Sequence, residues 1–159
     1  MDFKKSAIGL VACALFFAPS VAGAAASDRT AVMSVVRQYI DGFNKANVKE
    51  MTSTCEPSAA LIDDFAPHIW TGANACANWF KDFTAWAKSN HYTENTVILS
   101  KPWQLMVDGD YAYVVVPAKY TWLQNGKPGQ LLGSVYTLAL QKTKAGWLIT
   151  GWTWADGPG

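Results

Sequence analysis

The spacing of apolar residues changes once along this chain, near residue 90, and that change narrows the fold more than any other feature. Before it, apolar side chains recur at intervals of three and four. Val32, Val35, Val36, Tyr39, Ile40 and Phe43 form one helical stripe, with Arg37, Gln38, Asp41 and Lys45 on the opposite face. Over residues 73–88, Cys76, Ala77, Phe80, Phe83, Thr84 and Ala87 form another, widened by Trp79 and Trp86. From Glu94 onward the interval is two. Strands are predicted over about 94–106, 110–123, 130–142 and 146–155. In the second of these, Ala112, Val114, Val116, Ala118, Tyr120 and Trp122 share one face. Helices followed by an antiparallel meander with one buried face make an α+β fold.

Local signals place the joints. Ser27 or Asp28 can cap the first helix. Asn47 with Glu50 resembles a capping box, which starts a short second helix reaching about Thr54. A short strand over 59–63 and a loop containing Pro67 precede the third helix. Asp108-Gly109 is a hairpin signal, Asn125-Gly126 marks a second, longer turn, and residues 142–146 make a third. Pro102 and Pro117 suit edges or bulges, and bulges curve a sheet.

Residues 1–26 read as an export signal: Lys4 and Lys5, an apolar run over 7–18, Pro19, then small residues. Cleavage after Ala24 or Ala26 satisfies the A-x-A rule. The apolar run is short for a membrane span, which needs roughly 20 residues. The alternatives are an uncleaved anchor, or a lipobox at Leu10-Val11-Ala12-Cys13. The expectation is a periplasmic or secreted protein with residues 27–159 as one domain and no membrane contact after cleavage.

Removing the signal takes two Lys and one Asp, leaving 11 basic and 11 acidic residues and no basic run. Nucleic-acid binding needs a basic excess or stripe, so no such partner is expected. Of three cysteines, Cys55 and Cys76 remain. They either form a disulfide closing a loop of about 20 residues, worth roughly 3 kcal/mol, or stay as buried thiols on apolar stripes. No Gly-rich phosphate loop, nucleophile elbow or metal-ligand spacing is present, so no cofactor or metal is expected.

Two stretches carry a resemblance. Val35-Val36-Arg37-Gln38-Tyr39-Ile40-Asp41-Gly42-Phe43-Asn44 resembles the first helix of ketosteroid isomerases, in which a tyrosine follows a Val-Val pair. Ala60-Leu61-Ile62-Asp63-Asp64 resembles their short first strand, which ends in the catalytic carboxylate. With the order of elements, the chain is similar to the NTF2-like superfamily, which includes those isomerases and the SnoaL-type polyketide cyclases. The resemblance implies a cone: three N-terminal helices packed on a curved antiparallel sheet around an apolar pocket. It also implies Tyr39 as oxyanion donor and Asp64 as proton-shuttling base. The isomerases' second oxyanion donor, a protonated Asp, would fall near Ser134 and Tyr136. Neither is a carboxylic acid, although the Tyr136 phenol can donate in its place.

The residues themselves add further candidates. Asp64 precedes Phe65, Pro67, Ile69 and Trp70, and such surroundings raise a carboxyl into the range of a useful base. Strand neighbours point to opposite faces, so at most one of Asp63 and Asp64 is expected to face the cavity. His68, a loop imidazole, is a third catalytic candidate. Tyr136, Trp70, Trp122 and Trp152 are candidate ligand contacts, since an aromatic interior with a few polar groups suits a small apolar molecule. Three functions follow. One is a proton-transfer enzyme acting on a small carbonyl compound, and another is a non-catalytic ligand-binding protein. The third is an assembly module that pairs, as a homodimer, through Tyr111, Tyr113 and Val115 on the open sheet face.

Overall fold

The computed structural model describes residues 21–157; residues 1–20 of the expected export signal lie outside them. Among the described residues, no helix is long and apolar enough to cross a membrane. Helix α1 runs Val21–Asn44, so Asp28 lies within it rather than capping it. Its carboxylate instead accepts from Lys142 Nζ at 2.8 Å and Trp147 Nε1 at 3.2 Å, pinning the helix to the far end of the chain. Helix α2 (Val48–Thr52) starts as read. Asn47 Oδ1 accepts from Glu50 N at 3.1 Å, and Asn47 Nδ2 donates to Glu50 Oε2 at 3.0 Å. The two helices meet at Gly42, where a Cβ would lie 2.6 Å from the backbone N of Met51.

Strands β1 (Cys55–Ile62) and β2 (Ile69–Trp70) precede helix α3 (Ala75–Ser89). Five strands follow: β3 (Tyr92–Leu99), β4 (Gln104–Asp108), β5 (Tyr111–Gln124), β6 (Lys127–Thr143) and β7 (Gly146–Ala155). The expected strand over 94–106 is therefore two. Both pair with β5, and the segment between them is held by Ser100 N to Pro117 O and Trp103 N to Val115 O, each 2.9 Å. Pro102, with no N–H to give a ladder, sits in that break. The Asn125-Gly126 turn is tighter than expected. Gln124 pairs with Lys127, and both central residues have positive φ (52° and 76°), the geometry of a two-residue hairpin turn.

The strand order is β2-β1-β7-β6-β5-β3, with β4 also on β5. β1 runs parallel to β7, so the sheet is mixed rather than wholly antiparallel. The chain leaves β1 through the short antiparallel strand β2 and then α3, so no hairpin links β1 to β7 and the two are free to run parallel. Register shifts between Ala118 and Tyr120 of β5 and between Ala139 and Leu140 of β6 bend the long strands. Gly133, at φ 74°, takes the left-handed backbone of the first bulge.

The sheet curls without closing, and α1 and α3 fill its concave side. Asn44 clamps the end of α1 to β3, donating to Val97 O at 2.9 Å and accepting from Val97 N at 2.8 Å. A Cys55–Cys76 disulfide joins β1 to α3. Val32 and Val36, near the middle of α1, belong to one buried core with Leu138, Leu140 and Ile149 of the sheet. Large aromatic rings, in edge-on, tilted and stacked pairs, surround a hollow.

Candidate functional site

The hollow measures about 220 Å³, and twelve of its eighteen lining residues are aromatic. That volume is below the ~300–1,000 Å³ of drug-sized sites, which sets a small ligand. Trp79 of α3 meets Trp152 of β7 edge-to-face, with ring centroids 5.0 Å apart at 89°. On the opposite wall Trp122 is sandwiched between Tyr92 and Tyr120, at 5.1 and 4.9 Å.

Three carboxylates interrupt this surface: Asp63, Asp64 and Asp156. Asp63 continues the inward parity of Ala59 and Leu61 past the end of β1, and only 8% of it is exposed. Its Oδ2 accepts from Trp79 Nε1 and its Oδ1 from Asp64 N, both at 2.8 Å. Burial nonetheless pushes its carboxyl up to about 7, because two N–H donors do not replace a hydration shell. Asp64 and Asp156 are exposed, at the mouth. Asp156 is oriented by Trp154 Nε1 at 2.8 Å, and burial and then the neighbouring Asp64 raise its carboxyl.

Tyr39 is 1% exposed, and its hydroxyl oxygen accepts from Trp152 Nε1 at 3.1 Å. The lone pair is engaged, so the O–H proton is left to donate. Burial raises this phenol well above its usual range and keeps it protonated. The Tyr136 ring lies 6.3 Å from that of Tyr39; its hydroxyl is buried close to the Tyr39 hydroxyl and makes no hydrogen bond of regular geometry. Burial raises Tyr136 in the same way.

Tyr39, Asp64, Tyr136, Trp122 and Trp152 thus line one hollow. His68 and Trp70 do not. His68 is exposed at φ 70°, with Nδ1 3.2 Å from the Asp63 backbone oxygen. Trp70 is buried behind Phe65 and donates to Asp82 Oδ2 at 2.9 Å. The loop after β1 turns both away from the cavity. Ser134 is buried but does not line it. Sequence reasoning passed over Asp63 as the buried carboxylate, Trp79 as its donor, and Asp156.

Helices on a curled, open sheet with an aromatic hollow between them define the cone-shaped, pocket-bearing class of α+β domains. A family model described as a SnoaL-like domain matches residues 32–153. The chain belongs to that family. Solved structures share the fold at low identity. An NTF2-like superfamily protein from Salmonella enterica serovar Typhimurium is 14% identical with a TM-score of 0.70, over 84% of this chain and 94% of that one. Hexachlorocyclohexane dehydrochlorinase LinA-type3 from Novosphingobium barchaimii LL02 is 11% identical with a TM-score of 0.71, over 83% and 88%. A ketosteroid isomerase-like protein from Erwinia carotovora atroseptica is 14% identical with a TM-score of 0.65, over 81% and 95%. No curated protein matches by sequence.

Proposed function

We propose that this chain is an exported enzyme that moves a proton next to the carbonyl of a small, largely apolar compound, an isomerase-, cyclase- or dehydratase-like reaction. The observation that carries this reading is one buried carboxyl near neutrality, Asp63, sharing a hollow with two buried phenols. Asp63 is the base, held by Trp79 and the Asp64 backbone. Tyr39 and Tyr136 donate to the oxygen on which charge develops, in a site where water does not screen them. Asp64, the other carboxylate of the pair, stays at the mouth. The relatives named dehydrochlorinase and ketosteroid isomerase-like support a proton-moving chemistry on this scaffold. The leader-like N-terminus supports export, and the disulfide is in keeping with an oxidising compartment.

The test is exchange in deuterated water. Aryl methyl ketones that quench the tryptophan fluorescence should lose their α-hydrogens, followed by proton NMR, faster with protein than without. Tyr39→Phe should slow the exchange by about 10²-fold, the usual loss for one oxyanion donor. Saturable binding with no exchange would leave a non-catalytic ligand-binding protein.

A second reading, assembly, has its own observation. Trp103, Met106, Tyr111 and Tyr113 are large and exposed at 67%, 59%, 64% and 42%. Met106 and Tyr113 are cross-strand partners on the face away from the helices. Such a patch suits a homodimer through the sheet. Sedimentation should show a dimer that Tyr113→Glu converts to monomer; a wild-type monomer at high concentration ends this reading.

A further inference from the structure

We infer that the ligand is a cation: a compound with an ammonium group at the cavity mouth, between Asp64 and Asp156, and an apolar body carrying an oxygen acceptor at the Tyr136 end. The inference rests on the carbonyl reading above and names its substrate class.

Charge comes first. Three carboxylates line the cavity, and no Lys, Arg or His does. Among the described residues the ion pairs are Lys45–Glu50 and Lys142–Asp28, both elsewhere. The mouth therefore gathers like charges with no countercharge, and the raised Asp63 and Asp156 carboxyls express that tension along with burial. An anionic ligand would add to it. A cation relieves it.

The wall is the second observation. Tyr120 and Trp154, each beside one or more of those carboxylates, offer electron-rich ring faces, and cations seat over such faces. An uncharged hydrocarbon needs aromatic rings but no carboxylates. The combination selects for charge.

The third is independent of both. Tyr136 lines the cavity and is 2% exposed, and its hydroxyl, close to that of Tyr39, makes no hydrogen bond of regular geometry in the protein. A buried donor left unpaired is costly, so it points to an acceptor on the ligand. A carbonyl oxygen at depth and an ammonium at the mouth satisfy all three features together.

A matched pair of probes tests this. Phenacyltrimethylammonium and 3,3-dimethyl-1-phenylbutan-1-one have the same shape and the same ketone, and differ by one positive charge. Binding, measured by calorimetry at low salt, should be about tenfold tighter or more for the cation. High salt should weaken the cation and leave the neutral ketone unchanged. The double variant Asp64→Asn/Asp156→Asn changes only exposed groups, and its melting curve checks that it stays folded. It should bind the two probes equally. Equal or tighter binding of the neutral ketone by wild type overturns the inference, as does failure of both to bind. Exchange of the α-hydrogens of the bound cation is read separately. Cation preference without exchange removes the base and keeps the cation site; exchange without cation preference does the reverse.

Discussion

Asp63→Asn should lower the rate of α-hydrogen exchange by about 10²–10⁴-fold, the range of a positioned general base. Wild-type exchange should rise with pH through about 7, where Asp63 ionises, and the variant should show no such rise. The groups that face Asp63 are Asp64 beside it, Tyr39 of α1, Tyr120 of β5, Tyr136 of β6 and Asp156 after β7; the His68 ring meets only the Asp63 backbone oxygen, outside the cavity. The phenols are pushed upward, so they stay protonated across that window.

The same substitution should also remove a pH dependence of stability. The folded carboxyl lies near 7, above its ordinary 3.8. Between those values the native state keeps a proton that the unfolded chain has released, so stability falls as pH rises. The fall is on the order of 4 kcal/mol for a shift of that size. The amide cannot titrate, so chemical denaturation of the variant should lose most of that slope, the remainder coming from the raised Asp156 carboxyl. It retains one acceptor oxygen for two N–H donors, which costs about 1–3 kcal/mol at all pH values and does not mimic the slope. A wild-type curve without that slope would mean that Asp63 is ionised throughout, and that a rise in exchange rate near pH 7 belongs to another group.

The second large effect concerns the disulfide. Cys55→Ala/Cys76→Ala should lower stability by about 3 kcal/mol, since the bridge closes a separation of 21 residues. For a domain of this size that is a fall in Tm of roughly 10 °C. Reduced wild type should melt with the double variant, and oxidised wild type above both. The bridge ties β1, which delivers Asp63, to α3, which delivers Trp79. Near its lowered Tm the variant should therefore lose exchange activity before it loses helical signal. An oxidised protein melting with the double variant would show that α3 is held by its aromatic contacts alone.

Particular residues show which parts of this fold were legible in the sequence. The change of period near residue 90 gave away the α+β division because burial on one face imposes it directly. The Asn47–Glu50 box was legible because capping is local. The parallel pairing of β1 with β7 was not, since it depends on partners some 90 residues apart. Nor was the choice between Asp63 and Asp64. Residues 59–62 are apolar on both faces of the strand, so alternation identifies two sets without saying which is inward. His68 and Trp70 have the right chemistry, but the loop's turn, rather than its composition, decides where they point. Trp79 looked like the margin of a helical stripe. Its N–H mattered only once a carboxylate was known to lie opposite.

The register of β1 against β7 has a consequence for when the site comes into being. Leu61 lies beside Trp152 and Ile62 beside Thr153, so the strand bearing Asp63 finds its neighbour only after nearly the whole domain has emerged. The helices can form early, but the chamber stays unassembled until the last strand docks. Pairings this distant in sequence are slow to close, which makes the completed hollow a late event in folding.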